Sequence, residues 1–184
     1  MIKPLLLALA LSATGAHAMV IGGKIVDQTG TGEFEILDPT TGFTVGSDNF
    51  DSCNLFAFDE DQNIVLSEPI RVDIGPNSGM IAQGTEVASH YVFFDSVNGT
   101  HFGYVDFDAP ILGVAAFQDT MGATDFLANT DVFYIGEELR GLENGDRAWI
   151  DPDNPDRLWV SWAGSSPGDY IRVFTARSVG AAMM

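Results

Sequence analysis

From Val20 onward the chain is a series of short apolar runs, broken every few residues by Gly, Asn, Asp or Pro. The runs predict strands at Val20–Val26, Phe34–Leu37, Asn54–Phe58, Asn63–Leu66, Glu86–Asp95, Phe102–Phe107, Ile111–Phe117, Val132–Ile135, Arg147–Ile150, Arg157–Trp162 and Tyr170–Thr175. One or two helical turns are expected around Thr120–Ala128. There is no fixed-period repeat, no low-complexity linker and no long amphipathic helix. Many short strands separated by turn signals predict an all-β fold, an antiparallel β-sandwich of jelly-roll-like build.

The Asn98-Gly99 pair suits a two-residue type I′ turn, because both central residues of that turn need positive φ. Such a turn pairs Val97 with Thr100. It then sets Phe93 opposite Tyr104, Tyr91 opposite Asp106, Val92 opposite Val105 and His90 opposite Phe107. Strand alternation puts Ala88, His90, Val92, Phe94, Val105 and Phe107 on a core face. Tyr91, Phe93, Phe102 and Tyr104 fall on the other face and are candidate ligand-binding residues, a platform for a stacked sugar ring. The competing expectation is that a second layer covers them. Pro110 ends the hairpin. Ile111–Phe117 is continuously apolar, which predicts a strand buried on both faces in the middle of a sheet.

The first 18 residues read as a secretory signal: a basic Met1-Ile2-Lys3, an apolar Leu5–Leu11, and Ala16-His17-Ala18 as cleavage site. The apolar stretch is shorter than the roughly 20 residues that span a bilayer, and no later stretch approaches that length. Residues 19–184 are expected to form a single domain with no membrane anchor, secreted or periplasmic. Cys53 is the only cysteine, so packing alone must hold the fold, and a small buried role is expected for it.

The charge balance is lopsided: 26 Asp+Glu face 8 Lys+Arg, a formal net charge of −18. That excludes a phosphate-tracking nucleic-acid surface, which needs clustered Lys and Arg. The 46% apolar content is enough to fill a core, so the chain is not disordered. The charge itself keeps copies apart in solution and suits either saline surroundings or scattered calcium binding.

The densest polar segment is Asp151-Pro152-Asp153-Asn154-Pro155-Asp156. Calcium takes six to eight hard oxygen ligands, which makes Asp151, Asp153, Asn154 and Asp156 candidate calcium ligands. The competing reading is a turn joining two strands, since Asp-Pro and Asn-Pro are turn formers. No other cofactor is expected. Trp149, Trp159 and Trp162 are a second candidate sugar platform, although alternation puts Trp159 and Trp162 on opposite faces. Arg140 and Arg172 are expected in structural ion pairs, Arg172 with Asp169 or a neighbouring strand. No G-x-S-x-G, H-E-x-x-H or C-x-x-C motif is present. His90 is expected in the core and His101 exposed beside the turn.

Three segments taken together carry a resemblance: Val105-Asp106-Phe107-Asp108-Ala109-Pro110-Ile111-Leu112-Gly113-Val114, Arg140-Gly141-Leu142-Glu143, and Ser166-Pro167-Gly168-Asp169-Tyr170-Ile171-Arg172-Val173. In order and rough spacing they resemble exported bacterial β-sandwich proteins of the PEP-CTERM (exosortase-sorted) class, over about the C-terminal half of the chain. The resemblance implies a surface- or matrix-associated protein and supplies no catalytic residues. Proteins of that class finish in a sorting motif, an apolar helix and basic residues, whereas this sequence finishes in Gly180-Ala181-Ala182-Met183-Met184, so free secretion or periplasmic residence is expected instead. The function expected is a non-catalytic structural or extracellular-matrix role, with polysaccharide or other surface components as partners. A carbohydrate- or calcium-binding module and a secreted hydrolase are the alternatives.

Overall fold

The computed structural model describes residues 18–76, 79–96, 98–165 and 168–177. The expected signal segment, apart from Ala18, lies outside these residues, as do Val97 of the expected turn and Ser166-Pro167 of the third resembling segment. The described chain is built from strands: β1 (Val20–Gln28), β2 (Phe34–Ile36), β3 (Phe43–Val45), β4 (Leu55–Asp59), β5 (Ile64–Val65), β6 (Ile70–Arg71), β7 (Met80–Ile81), β8 (Glu86–Phe94), β9 (Asn98–Phe107), β10 (Ile111–Ala115), β11 (Val132–Tyr134), β12 (Arg147–Ile150), β13 (Arg157–Ser165) and β14 (Asp169–Ala176). Its one α-helix, α1 (Gln118–Ala123), is followed by a 3-10 turn at Asp125–Leu127. The all-β expectation holds, and every expected strand is found within a few residues of its expected bounds.

Four strands in the order β1-β9-β13-β12 form one antiparallel sheet. A second sheet runs β10-β14-β8-β4-β2, with β5 also on β8. Two short pairs, β11 with β3 and β6 with β7, complete the strand pairing. One core lies between the large sheets and contains Leu55, Val92, Phe94, Val105, Leu158 and Trp162. A second core covers the far face of the six-stranded sheet, where Phe56, Phe58, Tyr91, Phe93, Tyr170 and Phe174 meet Val45, Leu66, Met121 and Leu127 from the short elements. The six-stranded sheet is therefore greasy on both faces, and β8 is buried from Val87 to Phe94.

The expected β8–β9 hairpin does not form. β8 pairs with β14 and β4, while β9 pairs with β1 and β13, so the chain crosses from one sheet to the other between Phe94 and Asn98. The reason is burial: a strand apolar on both faces belongs in the middle of a covered sheet, and a hairpin would have left one of its faces in water. Asn98 and Gly99 extend β9 instead of turning. Ser96 holds the crossing, its hydroxyl donating to the Asn98 carbonyl at 3.1 Å and accepting from the Asn98 amide at 3.3 Å.

The reading of Ile111–Phe117 as a central strand is also corrected. β10 is outermost in its sheet, and its apolar residues are covered because Ile74 bridges to Val114 along the free edge. Asp73 in that covering segment accepts from the amides of Ala116 at 2.7 Å and Phe117 at 3.1 Å and from the Thr120 hydroxyl, which fixes the start of α1. In the other sheet, Gly103 lets β1 close on β9, since a Cβ there would lie 2.5 Å from the Lys24 carbonyl oxygen.

Candidate functional site

The outward face of the four-stranded sheet is aromatic. Alternation turns Leu158, Val160 and Trp162 inward on β13, and Trp159 and Ser161 outward. The register then aligns Trp149, Trp159, Tyr104 and Lys24 in one row across all four strands. The adjacent row holds Arg147, Ser161, Phe102 and Asp27. The rings of Phe102, Trp149 and Trp159 are parallel to within 19°, with centroids 5.1 to 6.3 Å apart. Tyr104 meets Trp159 edge-on at 5.1 Å. Trp149 is 36% exposed, and Phe102, Tyr104 and Trp159 are half-buried.

Polar groups hold these rings in place. Arg157 forks onto Asp106 through Nε at 2.6 Å and Nη2 at 2.9 Å, and its guanidinium lies 3.8 Å above the Tyr104 ring. The Trp159 indole donates to Asp151 Oδ2 at 2.8 Å. Beyond Phe102 lies a shallow cleft of 270 Å³ bordered by Asp27, Thr100, Asp146 and Ser161. Beyond Trp149, at the open edge of β12, a mostly apolar groove of 450 Å³ is lined by Ile74, Phe117, Leu142 and Ala148.

The four aromatics expected on one face are divided between the sheets. Phe102 and Tyr104 are on this outward face, whereas Tyr91 and Phe93, 1% and 0% exposed, belong to the second core. The tryptophans divide in the same way: Trp149 and Trp159 share the outward face and Trp162 is inside. The Asp151–Asp156 segment is the loop between β12 and β13. Asp151 Oδ1 accepts from the amides of Asp153 at 2.9 Å and Asn154 at 3.2 Å, and Asn154 Oδ1 accepts from Asp156 at 3.3 Å. Asp151 Oδ1 and Asn154 Oδ1 thus hold the turn, while Asp151 Oδ2 holds the Trp159 indole. The Trp159 indole N–H and the Asp153 amide hold the Asp151 carboxyl below the usual carboxylate range. Among the described residues no three His, Cys, Asp or Glu side chains are grouped to hold a metal ion.

Three buried polar clusters are built from partners that sequence reasoning did not name, although Arg140 and Arg172 are in ion pairs and His90 in the core as expected. Glu60 and Arg172, both fully buried, pair through Nε–Oε2 at 2.6 Å and Nη2–Oε1 at 3.0 Å, and Ser89 and Tyr134 also donate to Glu60. Arg172 also reaches Asp125, which Arg140 grips with both Nη atoms at 2.7 Å. Of the two expected partners for Arg172, Asp169 or a neighbouring strand, the pairing is with Glu60, the residue that follows β4. In the second cluster, His90 Nδ1 lies 2.7 Å from Asp59 Oδ1 and Nε2 lies 2.9 Å from Thr175 Oγ1. This is an acid–imidazole–hydroxyl relay, but His90 and Thr175 are fully buried and the ring packs on Phe107, so a substrate has no approach to the hydroxyl. In the third cluster, the carboxyl of Asp169, 2% exposed at the start of β14, hydrogen-bonds to Asp146 just before β12. Burial, then the Asp146 charge, push Asp169 up to about 8.

His101, expected at the surface, is 2% exposed and stacks on Phe94 at 3.7 Å. Burial holds the imidazole down at about 4, outweighing a backbone hydrogen bond at Cys53 that acts in the opposite direction. Cys53 is half-buried beside the Ser96 hydroxyl.

The signal that would have found the Trp149–Trp159 pair is symmetry about the loop. Both residues lie five positions from Asn154, so a hairpin centred on that Asp/Pro segment sets them opposite each other. In comparisons with known proteins, the chain matches no family model, no curated protein and no solved structure with significance.

Proposed function

We propose that the chain is an exported antiparallel β-sandwich of jelly-roll-like build, secreted or periplasmic, that serves without catalysis at the cell surface or in an extracellular matrix by holding polysaccharide. The observation that carries this reading is the set of three parallel rings, Phe102, Trp149 and Trp159, on the outward face of a sheet. Pyranose rings present C–H faces that lie well against aromatic rings, and Ser161, Arg147 and Asp27 flank the rings with hydrogen-bonding groups. The likeness of the C-terminal half to exported surface proteins supports the same reading. The Asp151–Asp156 loop enters it as the turn that joins β12 to β13 and anchors the Trp159 indole.

A glycan array probed with the folded domain tests this. Selective signal is expected for one class of polysaccharide, lost in Trp149→Ala and Trp159→Ala variants that keep the parent circular dichroism spectrum. Equal, weak signal across the array would refute it.

A further inference from the structure

Basic side chains are scarce, and their placement is uneven. Arg140, Arg157, Arg172 and Arg177 are each engaged by a carboxylate. Among the described residues, Lys24, Arg71 and Arg147 form no ion pair. All three are exposed, and two of them, Lys24 and Arg147, flank the aromatic face, Lys24 on edge strand β1 in the Trp159 row and Arg147 on edge strand β12 in the adjacent Phe102 row. Three strand spacings separate those edges, roughly 14 Å, a span of several sugar rings with Trp159 and Tyr104 between.

The acids of the same face are mostly committed. Asp106 is held by Arg157, and Asp151 by the Trp159 indole and its own turn. Asp146 accepts from the amides of Ala163 at 2.7 Å and Glu143 at 3.2 Å. Hydrogen bonds leave the Asp146 and Asp151 carboxylates charged, so these and Asp27, opposite Phe102, are the negative groups a ligand would still meet. Elsewhere the protein is strongly acidic, with a net charge of −18.

We infer that the ligand of this face is an acidic polysaccharide bearing uronate carboxylates, its sugar rings on Trp149 and Trp159 and its carboxylates at Lys24 and Arg147. The inference rests on the glycan-holding reading above and names its ligand class. An acidic chain is repelled by the carboxylates and meets unpaired positive charge on this face at Lys24 and Arg147, so these two side chains fix where and in which orientation it lies. Exposed pairs of this kind contribute modestly, and the rings supply the remaining affinity.

The test uses polygalacturonate and its fully methyl-esterified form, which share a backbone and differ in charge. Binding to the parent domain is measured by calorimetry at low and moderate salt. Polygalacturonate is expected to bind more tightly and to weaken severalfold as salt rises, while the ester is indifferent to salt. Lys24→Gln and Arg147→Gln each weaken polygalacturonate binding about threefold, and about tenfold together. Asp27→Asn strengthens it about twofold, and Lys24→Gln leaves binding of the ester unchanged. Trp159→Ala weakens both ligands. Equal affinity for the two forms, unmoved by Lys24→Gln and Arg147→Gln, overturns the uronate inference and leaves the glycan-holding reading in place. Failure of both forms to bind the parent overturns the uronate inference, and the glycan-holding reading falls with it only if the array is flat as well.

Discussion

Replacing Asp169 with Asn should flatten the dependence of stability on pH above neutrality. Asp169 projects from the six-stranded sheet onto Asp146, which leads into the four-stranded sheet, and burial together with that negative neighbour pushes its carboxyl from 3.8 to about 8. The folded state therefore holds a proton that the unfolded chain releases near pH 4. A raised carboxyl contributes its full stability below the unfolded value and loses it as pH climbs through the folded value. Each pH unit in that interval is worth about 1.4 kcal/mol, so the step from pH 6.5 to 8 removes about 2 kcal/mol. For a domain of this size that lowers the melting temperature by about 4–8 °C. The asparagine amide can donate to Asp146 as the protonated acid does, without titrating. Thermal unfolding of parent and Asp169→Asn across pH 6.5–8 measures the difference, and His101, held down at about 4, stays neutral throughout that window. A parent slope that persists unchanged in Asp169→Asn refutes the reasoning.

Glu60→Gln leaves the fully buried Arg172 without its counter-charge and should cost about 3–5 kcal/mol in urea unfolding, whereas an unchanged midpoint would mean the Arg172 charge is satisfied by Asp125 alone. Gly103→Ala drives a methyl into the Lys24 carbonyl and should destabilise by about 1–3 kcal/mol; a stability equal to the parent's would show that β1 can move away freely. Folding favours neutral His101, so its contribution is present above pH 6.5 and is lost as pH falls toward 4; an NMR titration giving a value above 6 would contradict the dominance of burial at this ring.

Local structure was legible in the sequence and pairing was not. Gly, Asn, Asp and Pro punctuate the chain so regularly that Arg147–Ile150 was bounded correctly to the residue, and the errors elsewhere were a few residues at strand ends. The short strands Phe43–Val45, Ile70–Arg71 and Met80–Ile81 passed unnoticed, because two or three residues carry too little alternation to register. The expected β8–β9 hairpin failed for a different reason. A type I′ dipeptide is a local signal, while β8 is apolar on both sides, a non-local demand that only a double-covered sheet meets. That error also placed Tyr91 and Phe93 with Phe102 and Tyr104. The candidate site was half legible for the same cause: its residues were named, but their sharing of one face depends on the β12–β13–β9 register. The Glu60–Arg172 pair was beyond reach, since its partners are 112 positions apart.

The position of β8 also constrains the order of events in folding. Its neighbours are β4, from the first third of the chain, and β14, which occupies nearly the last described residues. The middle of the six-stranded sheet cannot close until the final strand is available, and closing so long a loop is slow. A polypeptide threaded through a membrane pore with its N-terminus leading would meet that condition only after almost its whole length had emerged. In such a transit this topology would delay compaction until passage was nearly complete and would leave apolar strands half-exposed in the interval.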